Sequence, residues 1–139
     1  MTETFLKPTV SVRGVLNGPQ EKLLVLQRTS DGKWELPGGR LSPYESVPEG
    51  LQREVREETS LPLEIDDILF ANSWLNDQND DRFAVYYVCR TSRRSVSLSE
   101  EHINSQWVTP AEATSILPSA QSTAVRRSYN NVKEQTPAD

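Results

Sequence analysis

An α+β domain, a mixed sheet with helices packed against it, follows from three observations in the sequence. Apolar residues alternate at period two over residues 9–16, 22–27, 64–73 and 83–91. One central stretch, residues 47–59, switches to a helical period, and helical patterns return near the end after a short late strand.

Taken in order, "TVSVRGVL" and "KLLVLQ" read as strands separated by the turn cluster "NGPQ", which predicts a hairpin. "SDGKW" is a second turn, and "ELPGGRLSPYE" a loop rich in Gly and Pro. Ser46 followed by Glu49 fits a capping box, Pro48 is tolerated in a first helical turn, and Pro62 opposes continuation past Ser60. The two later strands flank "LNDQNDD", expected to be a polar, mobile connection. "SQWVT" is a short strand, "PAEATSIL" starts a helix with Pro in its first turn, and "SAQSTAVRRSYNNV" forms a last helix before a fraying "KEQTPAD". Neither an internal repeat nor an interior linker breaks residues 1–139, which predicts one domain able to bury its own core.

Composition narrows the function. Hydrophobic residues make up 35% and charged residues 25%, as in a globular protein. No apolar run reaches the roughly 20 residues of a membrane span, and "MTETFLKPTV" does not resemble a secretory signal, so a cytoplasmic setting without a membrane partner is expected. The net charge of −5 opposes attraction to a nucleic-acid polymer, and "CRTSRRS", the one basic stretch, reads as a solvated turn. A phosphate ligand would then need a cation held by carboxylates. With one cysteine and one histidine the chain cannot build a multi-ligand zinc site from those residues; Cys89 reads as a buried small hydrophobe, and His102, an alternative as a base, reads rather as an exposed loop residue.

On a wheel of about 100° per residue with Glu54 at the origin, Val47, Leu51 and Val55 fall at about +20°, +60° and +100°, the core stripe. Glu57 at about −60° and Glu58 at about +40° share or border that arc with Glu54, whereas Glu45, Glu49 and Arg56 lie opposite. Side-by-side burial of carboxylates is relieved by proton uptake or by a hard cation, and spacings of i, i+3 and i+4 suit the cation. An ordinary amphipathic helix with Arg53 paired to Glu57 and Glu58 remains the alternative on these residues alone. Gly50 on the same wheel predicts a close approach.

Upstream stands "WELPGG". From Gly39, five residues lead to Glu45 and seven more to "REVREETSL" at residues 53–61. This resembles the Nudix box, the signature of hydrolases acting on a nucleoside diphosphate linked to another moiety, with Ser60 in place of the final glycine. The resemblance implies the Nudix fold, a mixed β-sheet sandwiched between α-helices. It implies that Glu54, Glu57 and Glu58, with a carbonyl at Gly38 or Gly39, ligate Mg²⁺ or Mn²⁺, and that Arg53 and Glu45 support them. Glycine at position 60 would be a left-handed cap, a conformation serine adopts at about 1 kcal/mol.

The reaction so implied is attack of water on a pyrophosphate phosphorus, with Glu54 as first and Glu101 as second candidate for the base and Arg28 as a phosphate ligand. Trp34 and Tyr44, and beyond them Trp74, Phe83 and Tyr86, could stack on a base, although the aromatics of "RFAVYYV" also suit a sheet core. The residues at 76–79, "NDQN", carry neither the proline marker of ADP-ribose hydrolases nor the tyrosine of dinucleoside polyphosphate hydrolases. That favours a nucleoside triphosphate or related nucleotide in a house-cleaning role over ADP-ribose or a nucleotide sugar. A nucleotide-sensing domain without turnover is the alternative from another class, opposed by the intact glutamate set. Homodimers are common in the family, so a homodimer is a further expectation.

Overall fold

In the computed structural model the described residues are 4–135, with side chains described to residue 130. The strands are β1 (Thr9–Asn17), β2 (Leu23–Arg28), β3 (Trp34–Glu35), β4 (Gly38–Arg40), β5 (Glu64–Leu75), β6 (Asp81–Arg90) and β7 (His102–Val108); the helices are α1 (Val47–Thr59), α2 (Pro110–Ile116) and α3 (Ser119–Gln135). They form one mixed sheet in the order β3-β2-β1-β6-β5, with β4 added on β1 and β7 on β2.

Alternation sets the two faces. Val12 and Leu16 of β1, Leu24 and Leu26 of β2 and Cys89 of β6 pack under Leu51 and Val55 of α1. Val15, Leu23, Val25, Ala84 and Tyr86 point the other way, against Ala113 and Leu117 at α2 and Ala124 and Val125 of α3. The sheet is therefore sandwiched between helices, as expected. Cys89 is fully buried, and burial pushes its thiol up to about 12.

The expected hairpin of β1 and β2 is corrected in its pairing. The two strands meet at Asn17↔Leu23 alone. Beyond that point β1 runs parallel to β6 over its whole length and antiparallel to β4, while β2 turns to β3 and β7. Splayed strands leave an opening between β1 and β2, which the segment 34–40 fills: Gly14 N–H donates to the Pro37 carbonyl at 3.0 Å, and β4 lines up Val12↔Gly39 and Arg13↔Gly38. Gly38 has φ of +144°, and a Cβ there would strike the Val12 carbonyl and lie 2.7 Å from Arg13 Cα. Gly38→Ala is therefore expected to cost more than about 3 kcal/mol, read as a lowered midpoint in denaturant unfolding.

Helix α1 starts and stops where the sequence places it. Ser46 Oγ accepts from Glu49 N–H at 3.3 Å, and the Glu49 carboxylate returns to the Ser46 hydroxyl at 2.8 Å. At the far end Ser60 takes the left-handed conformation (φ 61°, ψ 16°) with its N–H on the Arg56 carbonyl. Serine thus fills the role of the family's glycine, and Ser60→Gly is expected to stabilise by about 0.5–1 kcal/mol, a thermal midpoint about 2–5 °C higher.

The connection "LNDQNDD" closes as a tight turn. Asn76 Oδ1 accepts from the N–H groups of Gln78 and Asp80 at 3.0 and 2.8 Å, closing a turn between the paired residues Leu75 and Asp81. "CRTSRRS" is solvated past the buried Cys89, with Arg90 tied to Asp66 and Glu64. The end of the expected fraying tail, 136–139, lies outside the described residues.

Candidate active site

Between α1 and α3 lies a cleft of about 1270 Å³ whose lining includes Gly39, Glu54, Glu58, Arg28, Trp34 and Glu101. Six of the residues singled out from sequence thus share one cavity, brought together from β2, β3, β4, α1 and the approach to β7.

Glu58 is the innermost carboxylate, 3% exposed, and Gly38 N–H donates to its Oε1 at 2.9 Å. Burial pushes its pKa up to about 8; the Gly38 bond and Arg13 act against that rise, and Glu35 and Glu54 add to it. Glu54 stands one turn earlier, its pKa raised first by burial, while Arg53 opposes the rise and Glu57 and Glu101 add to it. Its carboxyl group lies over the backbone of Gly39: a Cβ there would sit 2.5 Å from Glu54 Cδ and Oε2. The missing side chain of Gly39 is what lets the Glu54 carboxylate reach β4.

Arg53 holds this end of the site. Its guanidinium donates to both oxygens of Glu45 at 3.0 and 2.8 Å, to Glu54 at 3.0 Å, to Glu57 at 3.3 Å and to the Arg40 carbonyl at 3.1 Å. The Arg53 bonds, with the Ser42 N–H, hold the Glu45 carboxyl down to about 2. Glu45 precedes the helix, so extending the wheel to it misplaced it; it folds back over Gly50, where a Cβ would strike Leu41 and come within 3.0 Å of Glu45 Oε1. Glu57 also departs from the wheel reading: its side chain is 60% exposed and off the core stripe, does not line the cleft, and is tied to the site through Arg53 at 3.3 Å.

Two further expectations change. Tyr44 is fully exposed at a loop position of φ 68° and does not line the cleft, because the "SPYE" turn points its ring to solvent. His102 is not an exposed loop residue. It opens β7, and its ring is buried between two carboxylates, Nε2 2.8 Å from Glu35 Oε2 and Nδ1 3.9 Å from Glu58 Oε2. Glu35, which sequence reasoning passed over, also faces Arg13 Nη2 at 3.3 Å and Arg28 Nη1 at 3.9 Å. Burial alone would raise the Glu35 pKa, but the His102 bond and the Arg13 and Arg28 charges outweigh it and hold the carboxyl below its usual value. The ligand atoms of Glu35, Glu58 and His102 lie within 4.8 Å of one another, close enough to hold a metal ion. The sequence signal for this cluster was the Glu inside "WELPGG" and the His beside Glu101.

The aromatic side of the cleft comes from β5 and β6. Phe70 stacks on Tyr86 with centroids 4.8 Å apart and planes at 10°, and Arg127 lies over Phe70 at 4.8 Å. Tyr86 is core as well as lining, as the alternative for "RFAVYYV" had it; Trp34 and Trp74 complete the aromatic set.

A family model for the NUDIX domain matches residues 7–130. The chain belongs to the NUDIX family. It is a Nudix hydrolase by descent, which agrees with the box residues and with the fold. A MutT-like protein of Streptomyces ambofaciens is 33% identical over 106 residues, 76% of this chain and 67% of that protein. The nucleoside triphosphatase NudI of Salmonella schwarzengrund is 29% identical over 91 residues, 58% of this chain; the chain spans less than two thirds of that relative, 64%. Among solved structures, a MutT protein from Methanosarcina mazei superposes with TM-score 0.80 at 29% identity, over 92% of this chain and 99% of that one. A C. elegans Ap4A hydrolase superposes at 0.82 with 20% identity, over 91% and 98%, a likeness of fold alone.

Proposed function

We propose that this Nudix hydrolase cleaves a pyrophosphate bond in a nucleoside triphosphate or a related nucleotide, using Mg²⁺ or Mn²⁺ held by Glu54, Glu57, Glu58 and the Gly39 carbonyl. The observation that carries the reading is Glu58, a carboxylate sealed against the sheet, at the floor of a cleft that also takes Glu54 across a side-chain-free Gly39. Oxygen donors in that density fit a hard divalent cation and relieve the cost of burying them. Bound there, the cation would supply charge to the phosphate oxygens and acidity to the attacking water.

The protein's own groups do the rest. Arg53 locks Glu45, Glu54 and Glu57 into one arrangement before substrate arrives. Arg28, half-exposed at the cleft and steadied by Ser30 and Asp31, presents a planar guanidinium to a phosphate. Glu54 is the first candidate to take the proton from the attacking water, at a carboxylate oxygen, and Glu101 at the cleft edge is the second. Trp34 is placed to cover the base. The match to a nucleoside triphosphatase supports the triphosphate reading over ADP-ribose or a nucleotide sugar. Among the described residues no helix is long and apolar enough to cross a membrane; a single cytoplasmic domain acting on a small molecule, as a homodimer, is part of the same proposal.

A panel of nucleoside triphosphates, oxidised deoxynucleotides, ADP-ribose, nucleotide sugars and dinucleoside polyphosphates, with the products identified, tests the reading. The expected result is a nucleoside monophosphate and pyrophosphate from a triphosphate. Turnover confined to ADP-ribose or nucleotide sugars, or binding with no turnover of any of them, would contradict it.

A further inference from the structure

The His102 imidazole is the buried group that the proposed hydrolysis leaves unused. Its side chain is 1% exposed. Nε2 meets Glu35 Oε2 at 2.8 Å, whereas Nδ1 is buried with no hydrogen-bond partner among the described residues and lies 3.9 Å from Glu58 Oε2. A buried polar nitrogen left unpaired costs about 1–3 kcal/mol, a cost that a ligand on that nitrogen would relieve.

The surroundings define what that is. Glu35 also receives Arg13, which fixes it as an acceptor and places the ring hydrogen on Nε2. Nδ1 is then left with its lone pair directed toward Glu58. On Glu58, Oε1 is taken by Gly38 N–H, and among the described residues Oε2 takes no such bond. A carboxylate that fixes an imidazole tautomer so that the opposite nitrogen can bind a cation is a recurrent arrangement. Two bonds of about 2.1 Å span at most about 4.2 Å, so one ion can bridge the 3.9 Å between Nδ1 and Oε2.

We propose that His102 Nδ1 and Glu58 Oε2 form a second divalent-cation position, which takes a borderline metal such as Zn²⁺, Co²⁺ or Mn²⁺ through its nitrogen ligand. Mg²⁺ prefers an all-oxygen shell and is left to the glutamates of α1. The position rests on the proposed function only in sharing Glu58.

The chain has one histidine, so its imidazole nitrogens give one pair of ¹⁵N NMR signals. With the full chain near pH 8 and no nucleotide, the expected metal-free spectrum has the hydrogen on Nε2. Zn²⁺ then moves the Nδ1 signal strongly, Co²⁺ shifts or broadens it paramagnetically, and excess Mg²⁺, held at Glu58 without a nitrogen ligand, moves it far less. In calorimetry, His102→Gln weakens Zn²⁺ binding at least about tenfold and changes Mg²⁺ binding less than about threefold. If that variant does not fold, the wild-type spectra decide. A hydrogen on Nδ1, or imidazole signals that neither Zn²⁺ nor Co²⁺ moves, overturns the proposal. Zn²⁺ bound through His102 in a protein that hydrolyses no nucleotide would overturn the proposed function and leave this position standing; hydrolysis with an unmoved imidazole would do the reverse.

Discussion

Glu58→Gln is expected to lower Mg²⁺-dependent hydrolysis by on the order of 10³-fold, about 4 kcal/mol of transition-state stabilisation, while making the metal-free protein more stable. The two effects share one cause. Glu58 is buried with its pKa near 8 against the ordinary 4.5, so the metal-free fold binds a proton that the unfolded chain has released. Between pH 4.5 and about 8 the folded state therefore holds the extra proton, and stability falls as pH rises through that window, levelling off above it. At about 1.36 kcal/mol per pKa unit the ceiling is roughly 5 kcal/mol. Glutamine keeps an acceptor for Gly38 N–H without the charge. Unfolding midpoints of both proteins in EDTA should diverge with rising pH, the variant becoming the more stable, and adding Mg²⁺ should rescue the wild type alone. A variant less stable than the wild type at pH 8.5 would show that the Glu58 carboxylate is not held against its own solvation.

Gly39→Ala is expected to lower activity by about 10²-fold with a thermal midpoint within a few degrees of the wild type. The new methyl group would meet the Glu54 carboxyl, which is the far end of a flexible side chain and can swing aside, so the fold survives and the carboxylate is displaced. This separates it from Gly38→Ala, whose methyl group meets rigid backbone. Equal loss of stability in the two variants would contradict the contact assigned to Gly39.

What the sequence revealed was local in origin. Helix α1 is specified by Ser46, Glu49, Leu51, Val55 and Ser60, all within one stretch, and the spacing to Gly39 fixed how the loop meets it. Pairing partners are not local: "NGPQ" announced a turn, but the parallel match of β1 with β6 joins segments more than sixty residues apart, and no turn residue signals it. His102 and Glu35 are 67 residues apart, and each alone reads as surface. The wheel resolved Glu54 and Glu58 but not Glu57, because a residue at the border of the apolar arc is buried or exposed according to what the next element covers.

If the carboxylates of α1 work by holding a divalent cation, turnover depends on that cation. Nucleoside triphosphate is given to the protein after exhaustive EDTA treatment, then Mg²⁺ or Mn²⁺ is restored in steps while release of monophosphate and pyrophosphate is followed. No turnover is expected before metal is added, and saturable recovery is expected with either ion. Undiminished hydrolysis in EDTA would contradict that dependence.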